Sequence, residues 1–339
     1  MNHTSNEESS GCVWVCQIIM VEGVVGFLGN LLVCLVILRV KFLHNMTNYL
    51  LVNLAVADML VCVQAFFFYL SADQDFPLIR FVPASLIGKE LLCRLLASAF
   101  LYWFFASVSA YTLCLVTFER YVSIVHPLQY PRKLTATRMT ILIVLTWAIS
   151  LLFSVPILFT NKGSRDPNKV CSSTERPHDA RITHVLSFLV GYLLPITLMS
   201  LAYYKMQLTL KRQASALKME HARAAAYDLV IARQRLVSML TIVLGALIVL
   251  LTPGHVESLI CLHPSQTDPM WSICNSPNYS YLRGACNILL YLNSVVNPII
   301  YEFKYKKFRQ GLKVAFHSCF GQQCKNSVDI VMNPTSHNR

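Results

Sequence analysis

Charged side chains are scarce in this chain, since Asp, Glu, Lys and Arg together make up only 14% of its 339 residues. A soluble domain carries about 25%. Hydrophobic residues reach 55% here, and the mean hydropathy is +0.50. These values exclude an ordinary soluble protein and indicate a membrane protein. The chain also lacks the alternation of apolar and polar residues that marks the strands of an outer-membrane barrel, so membrane-spanning helices are expected.

Seven apolar runs have about the 20 residues that a helix needs to cross the hydrocarbon layer. The sequence therefore predicts an all-α membrane protein, a seven-helix bundle within residues 14–303 that follows an outer tail over residues 1–13. A basic amphipathic stretch at 304–318 is expected to form a short eighth helix along the inner leaflet, with a cytoplasmic tail over 319–339 after it. The apolar runs cover residues 14–38, 48–71, 93–118, 139–160, 183–204, 236–260 and 282–303.

Basic residues indicate the orientation of the bundle. The chain has 29 Lys and Arg against 17 Asp and Glu, and most of the basic ones fall in segments that are cytoplasmic when the N-terminus is outside. We therefore expect a multi-pass plasma-membrane protein with an extracellular N-terminus. Its net charge of +12 would face anionic lipid and an intracellular partner, and no nucleic acid is implied. On this topology Asn2 and Asn278 are glycosylation candidates, and Cys319 and Cys324 are acylation candidates.

Polar residues inside the apolar runs indicate function, because such groups are costly within a membrane. Asp58 lies in the second run, and Glu119-Arg120-Tyr121 lies at the inner end of the third. By itself that triplet has a second interpretation, a simple anchor at the membrane surface. In the seventh run Asn297 and Tyr301 lie one turn apart on one face, with Pro298 beside Asn297 permitting a kink.

Taken in order, these motifs resemble the rhodopsin-like (class A) G-protein-coupled receptors. The resemblance covers nearly the whole chain, and the segment from Glu119 to Leu128 is most similar to the neuropeptide-type branches. It implies a cell-surface receptor that binds an extracellular ligand and activates a heterotrimeric G protein. The matching residues are Gly29-Asn30, Leu54 to Asp58, Cys93, Cys171, Glu119-Arg120-Tyr121, Trp147, Pro195, Tyr203, Pro253, Asn293-Ser294, Asn297-Pro298 and Tyr301.

The resemblance also implies a disulfide between Cys93, at the outer end of span 3, and Cys171 in the second outer loop. Cys93 lies farther from Arg120 than is usual in the family, so span 3 is expected to begin differently or to contain an irregular turn. Cys261 and Cys274 are candidates for a second bridge in the third outer loop, and the sequence leaves that pairing open.

Two functional clusters follow from the resemblance. The first is a buried polar group around an allosteric sodium ion, held by Asp58 in the inactive state and lost on activation. Its oxygen-rich side chains suit a hard cation. No other cofactor is expected. The sodium cluster comprises Asp58, Ser109, Asn293, Ser294 and Asn297, and the G-protein switch comprises Glu119, Arg120, Tyr121, Tyr203, Asn297, Pro298 and Tyr301.

Span 6 departs from the family pattern. Leu251 and Leu247 occupy positions that are aromatic in many members, and their partner position on span 3 is Ala110, so an aromatic relay cannot be transferred. The acid usually found at the inner end of span 6 is replaced by Arg233. The restraint on Arg120 is therefore expected to rest mainly on Glu119 of its own helix.

The ligand is not fixed by the sequence. The position of Tyr102 holds an aspartate in receptors for biogenic amines, and that of Tyr291 holds the retinal lysine of opsins, so neither class is expected. A peptide is the first choice and a non-peptide small molecule the alternative. Glu22 and Glu257 either receive a basic group of the ligand or reach the wet interface. The expected pocket is mostly aromatic, formed by Phe68, Tyr102, Phe105, Ser187, His255, Asn287 and Tyr291.

Three other functions were compared with the receptor interpretation. A transporter or channel could use Asp58 as a coupling site, but no internal repeat is visible in the chain. An enzyme is not expected, because no loop contains a nucleophile–base pair or a metal-ligand spacing. A receptor-like protein with weak or no G-protein coupling remains an alternative because of the altered span 6.

Overall fold

A computed structural model describes residues 4–72, 86–163, 171–174, 177–219, 224–261, 274–276, 278–304 and 306–320. Within these residues seven helical segments are long and apolar enough to cross a membrane, as the sequence predicts. We number them as spans 1 to 7 in chain order. They are Trp14–Arg39, Met46–Leu70, Ile87–Val125, Ala136–Phe159, Ile182–Leu217, Tyr227–Cys261 and Tyr279–Tyr301.

The spans are built from α-helices that are joined in places by tighter or wider turns. The 3₁₀ turns are Lys41–Leu43 and Val155–Phe159, and the π turns are Cys93–Ala97 and Ser187–Leu193. The α-helices are α1 Thr4–Arg39, α2 Met46–Ala72, α3 Leu86–Leu92, α4 Phe100–Val125, α5 Tyr130–Lys133, α6 Ala136–Ser154, α7 Pro177–Leu186, α8 Leu194–Met219, α9 Ala224–Cys261, α10 Tyr279–Lys304 and α11 Lys306–Phe320.

Some boundaries differ from the expected ones. Helix α1 begins at Thr4, inside the segment assigned to the outer tail, and α11 begins at Lys306 because Lys304 still belongs to α10. The described part of the third inner segment is helical, with α8 continuing to Met219 and α9 starting at Ala224, as its composition predicts. That segment is rich in good helix formers and has no Gly or Pro, so propensity favours the extension.

Large apolar side chains cover the outside of the bundle as well as its interior. Leu152, Val249 and Val21 are 70%, 67% and 62% exposed, which in water would be a large aggregation-prone surface. Inside, one buried apolar cluster fills the inner half of the bundle, and a smaller one in the outer half surrounds Tyr102 and Tyr291. This distribution suits a protein that is surrounded by lipid.

The entry to span 3 is irregular, as expected from the position of Cys93. A π turn over Cys93–Ala97 is followed by Ala99 in the left-handed region at φ 59°. A π turn accommodates an extra residue in a helix, which accounts for the longer distance in sequence from Cys93 to Arg120.

Disulfides join the outer loops to the bundle. Cys93 is bonded to Cys171 with a Cα–Cα distance of 5.6 Å, which confirms the predicted pair. Cys171 begins strand β2, Cys171–Ser173, which pairs antiparallel with β1, Asn161–Gly163. The pairing that the sequence left open, Cys261 with Cys274, is also a disulfide, with a Cα–Cα distance of 5.3 Å.

Other predicted outer and inner sites are only partly covered by the structure. Asn278 is exposed in the turn before α10, a position accessible to glycosylation. Asn2 and Cys324 lie outside the described residues, and Cys319 lies in the last turns of α11, where the backbone alone is described.

Candidate functional site

Asp58 is fully buried in span 2 and accepts hydrogen bonds from two other spans. Its Oδ1 accepts from the hydroxyls of Ser109 at 2.8 Å and Ser294 at 3.0 Å. Its Oδ2 accepts from Nδ2 of Asn297 at 2.9 Å. Asn30 of span 1 donates to the backbone oxygen of Ser294 at 2.9 Å. The cluster therefore joins spans 1, 2, 3 and 7 at mid-membrane.

The donor set of this cluster fits a small hard cation. A carboxylate and two hydroxyl oxygens, those of Asp58, Ser109 and Ser294, are oxygen ligands of the kind that alkali ions take. The prediction for Asn293 differs from what is observed. Asn293 lines the neighbouring cavity, and the amide that bonds to Asp58 is that of Asn297.

At the inner end of span 3, Glu119 is completely buried, although it is charged. Both of its carboxylate oxygens accept from the guanidinium of Arg120, which forms an ion pair with it. The side chain of Arg120 is 19% exposed, whereas that of Glu119 is not exposed at all. The predicted pairing of these two neighbours is therefore present.

Two further donors to Glu119 were missed from the sequence. The hydroxyl of Thr47 in span 2 donates to Oε2 at 3.0 Å, and the hydroxyl of Tyr130 in α5 donates to Oε1 at 2.6 Å. Burial, followed by the hydrogen bond to Glu119, raises the pKa of Tyr130 to about 12. Tyr130 therefore stays protonated and remains a donor at any physiological pH. The sequence did not reveal either residue, because a single threonine or tyrosine at the inner end of a helix forms no recognisable motif.

The other predicted tyrosines of the switch make contacts of their own. The hydroxyls of Tyr203 and Thr117 are 2.8 Å apart. The hydroxyl of Tyr301 is buried and has no hydrogen-bond partner among the described residues. Tyr121 packs its ring edge against His126, with ring centroids 5.7 Å apart. These three tyrosines are therefore not among the side chains that hold the carboxylate of Glu119.

A narrow cavity lies in the outer half of the bundle, between spans 3, 5, 6 and 7. Its volume is about 30 Å³, room for about two water molecules. Three of the predicted pocket residues, Tyr102, Ser187 and His255, lie in its lining. The lining residues are Val61, Tyr102, Trp103, Ala106, Ser107, Ala110, Ser187, Gly191, Leu251, His255, Leu290, Asn293 and Ser294.

Four predicted pocket residues lie elsewhere. Phe105 points toward span 4, where its ring packs against Trp147 at 6.5 Å. The ring of Tyr291 packs against that of Tyr102, with ring centroids 4.8 Å apart, and is not part of the cavity lining. Phe68 packs against the outer apolar cluster that contains both tyrosines. Asn287 is half-buried outside the cavity lining. Counting along a helix gives the level of a residue more reliably than its direction.

An unpredicted link joins spans 5 and 6 beside the cavity. The hydroxyl of Tyr192 hydrogen-bonds to that of Thr252, which itself donates to the backbone oxygen of Ile248. The ring of Tyr192 also packs against His255 at 4.6 Å. The link is adjacent to Pro253, where span 6 can bend. It occupies the region in which Leu251 replaces the expected aromatic residue.

Comparison with known proteins agrees with this architecture. The family model of the 7 transmembrane receptor (rhodopsin family) matches residues 29–301. Over 313 residues the chain is 32% identical to the neuromedin-U receptor 2 of Mus musculus, covering 89% of this chain and 74% of the relative. The corresponding receptor of Rattus norvegicus is 31% identical over 312 residues, which cover 89% and 73%. The trace amine-associated receptor 8b of Rattus norvegicus is 26% identical over 307 residues, which cover 84% and 81%. Because the family match extends over most of the chain, this protein belongs to the rhodopsin family of seven-transmembrane receptors.

Proposed function

We propose that this protein is a plasma-membrane receptor with an extracellular N-terminus that binds a peptide and activates a heterotrimeric G protein. The observation that carries this proposal is the buried ion pair of Glu119 and Arg120 at the inner end of span 3. A buried charge pair is a poor source of net stability. Its presence at the face where a G protein would bind is better explained by a conformational restraint that can be released.

The restraint acts through four side chains of three elements. Thr47, Tyr130 and Arg120 all hold Glu119, so span 2, α5 and span 3 are tied together at the inner face. Outward movement of span 6 about Pro253 would open this face. Arg120 could then leave Glu119 and turn toward the bundle axis, where Tyr203 and Tyr301 lie buried. Ligand binding acts by favouring the open member of these two states.

The relatives support a peptide ligand, since the two neuromedin-U receptors are named for a peptide. The trace amine-associated receptor is named for amines, but the position of the amine-binding aspartate is Tyr102 here. A cavity of about 30 Å³ cannot hold either ligand class, so binding must first separate side chains in the outer half. A non-peptide small molecule is the second candidate, favoured by the enclosed and mostly aromatic surroundings of His255.

We also propose that Asp58, with Ser109 and Ser294, holds a sodium ion in the resting state. The ion would supply a positive charge that compensates the buried carboxylate. Since the same carboxylate accepts from Asn297, the neighbour of Pro298 in span 7, its hydrogen bonds couple the sodium site to the inner half of that span. Asn2 and Asn278 are proposed glycosylation sites, and Cys319 and Cys324 proposed acylation sites.

The decisive experiment is a screen of peptides and small molecules against cells that express the receptor, with nucleotide exchange on a G protein as the readout. We expect at least one peptide to accelerate exchange without any substrate flux across the membrane. Flux coupled to Asp58 would favour a transporter. Normal surface expression with no exchange for any compound, and none without ligand, would favour a receptor-like protein that does not couple.

A further inference from the structure

A third carboxylate within the spans belongs to Glu22, a half-buried residue in the outer third of span 1. Its Oε2 is buried and has no hydrogen-bond partner among the described residues. The interpretation that Glu22 simply reaches the wet interface is therefore wrong for this oxygen. Another outer acid, Glu257, does have a partner, because the hydroxyl of Tyr279 donates to its Oε1. An unpaired acid within a membrane span indicates a binding function.

The contacts between spans 1 and 7 give the level of Glu22. Gly29 lies against Pro298, and a Cβ added to Gly26 would lie 3.0 Å from Cγ2 of Val295. The contact between Val15 and Gly284 shows the same offset in residue number. These odd-numbered spans cross the membrane in the same direction, so a constant offset means a constant level. By that offset Glu22 lies at the level of Tyr291.

Span 2 brings an amide to the same level. A Cβ added to Gly23, the neighbour of Glu22, would lie 3.0 Å from the backbone oxygen of Cys62 and 3.4 Å from Cβ of Phe66. Gln64 lies between those two residues. It is only 3% exposed, and its Oε1 accepts from the hydroxyl of Tyr291 at 3.4 Å. Its Nε2 is a second buried polar atom with no partner among the described residues.

Tyrosine rings complete the surroundings. The ring of Tyr291 packs edge-on against Tyr69 at 5.6 Å and against Tyr102 at 4.8 Å. Tyr102 also lines the cavity between spans 3, 5, 6 and 7. The contacts from Tyr102 to Tyr291 and from Tyr291 to Gln64 therefore lead from that cavity to the buried amide.

A carboxylate and an amide among phenol rings have the chemistry that recognises an organic cation. The carboxylate accepts from N–H groups, and tyrosine faces attract positive charge. A rotation of the Gln64 amide by half a turn presents its oxygen to the same cation, while its nitrogen takes over the long contact with Tyr291. A positive charge also removes the cost of an unpaired buried carboxylate.

We propose that Glu22, Gln64 and the tyrosines around Tyr291 form a site for an ammonium or guanidinium group of the ligand. This inference rests on the proposed receptor function and names the chemistry of one part of its ligand. It differs from the usual amine site in position, because it lies between spans 1, 2 and 7 and uses no acid at Tyr102.

The test measures thermal unfolding of the purified receptor in lipid nanodiscs with methylammonium or methylguanidinium as the probe. Sodium chloride is kept saturating so that Asp58 stays occupied, and urea serves as the neutral match for guanidinium. We expect a saturable rise in Tm with at least one of the two cations and none with urea. The cation that is effective identifies the ligand group as an ammonium or a guanidinium.

Three variants locate the site. Glu22→Gln keeps the shape of the side chain and removes its charge. We expect this substitution to lower the affinity for the probe cation by about 10- to 100-fold. Gln64→Leu should weaken it less, and it serves as the second test where Glu22→Gln fails to fold. Glu257→Gln is the matched control and should leave probe binding unchanged. No saturable shift in the unmodified receptor, or an unchanged shift in Glu22→Gln, would overturn the proposal.

Nucleotide exchange on a G protein, measured on the same nanodiscs, separates this inference from the proposed function. Normal exchange without cation binding overturns only the cation site. Cation binding that depends on Glu22, in a receptor that never accelerates exchange, overturns only the proposed function. A higher Tm of Glu22→Gln with no probe effect would show that the acid is merely a buried charge, and it would overturn the site.

Discussion

Two acids of this receptor, the fully buried Glu119 at the inner end of span 3 and the half-buried Glu22 in the outer third of span 1, differ in their hydrogen bonding. Glu119 is held by the ion pair with Arg120 and by the hydroxyls of Thr47 and Tyr130. Glu22 has one buried oxygen with no partner among the described residues. A saturated acid holds a conformation, whereas an unsaturated one is suited to receive a ligand.

Asp58 is intermediate between these two acids in position and in bonding. Three donors from spans 3 and 7 reach it, as three side chains reach Glu119, but none of those donors is a cation. Its negative charge therefore stays uncompensated by the described side chains around it. Among the described residues, a cationic partner therefore distinguishes Glu119, at the face where the G protein would bind, from Asp58 and Glu22.

The largest predicted effect concerns the charge of Asp58. Asp58→Asn should lower sodium affinity by about 100-fold, because a full charge at contact distance contributes several kcal/mol to cation binding. The measurement is the sodium-dependent rise in Tm of the purified receptor, with potassium as the control ion. Ser109→Ala, which removes one oxygen ligand and no charge, should have a smaller effect. A sodium-dependent rise in Tm of Asp58→Asn equal to that of the unmodified receptor would show that this acid needs no cation. It would contradict the comparison of Asp58 with Glu119 and Glu22.

An intermediate effect is expected for the link between spans 5 and 6. Tyr192→Phe removes the hydrogen bond to Thr252 and keeps the ring contact with His255. Such a bond contributes about 0.5–1.5 kcal/mol net, so agonist-free nucleotide exchange should rise roughly fivefold. Thr252→Val should have the same effect, and the double variant no more than either alone. Additive increases would mean that the two residues act separately rather than as one restraint.

The smallest effect is expected for the two neutral donors to Glu119. Thr47→Val and Tyr130→Phe should each raise agonist-free exchange about threefold, because Arg120 still holds the acid and water can replace a lost neutral donor. Since the folded-state pKa of Tyr130 is about 12, its contribution is fully present below the ordinary tyrosine value of about 10. Below a pH of about 10, the ratio of the agonist-free exchange rates of Tyr130→Phe and the unmodified receptor should therefore not depend on pH. A ratio that changes with pH would remove Tyr130 from the restraint.

The spans could be predicted from sequence because crossing hydrocarbon is a local requirement of length and polarity. The same holds for the helical third inner segment, which rests on propensity. The cluster around Asp58 was predicted from the family resemblance, and the structure brings Ser109, Ser294 and Asn297 to its carboxylate. Asn293 was predicted in the same cluster, and it lines the neighbouring cavity, whereas Ser294 and Asn297 make the contacts with Asp58.

The remaining errors concern side-chain direction and contacts between distant segments. Phe105 and Tyr291 were placed in the pocket by counting from conserved-looking motifs, yet one turns to span 4 and the other to span 2. The π turn at Ser187–Leu193 changes which face of span 5 meets the cavity and brings Tyr192 to Thr252. Neither a π turn nor the approach of α5 to Glu119 leaves a periodic pattern in the sequence.

The most direct test of the account is the agonist-free rate of nucleotide exchange for two matched variants, Glu119→Gln and Glu22→Gln, in membranes with equal surface expression. Each substitution removes one negative charge and keeps the shape of the side chain. We predict a rise of about tenfold for Glu119→Gln, because its acid restrains the inner face, and a rate within about twofold of the unmodified receptor for Glu22→Gln. An unchanged rate in Glu119→Gln would contradict the account, because the buried pair with Arg120 would then restrain nothing.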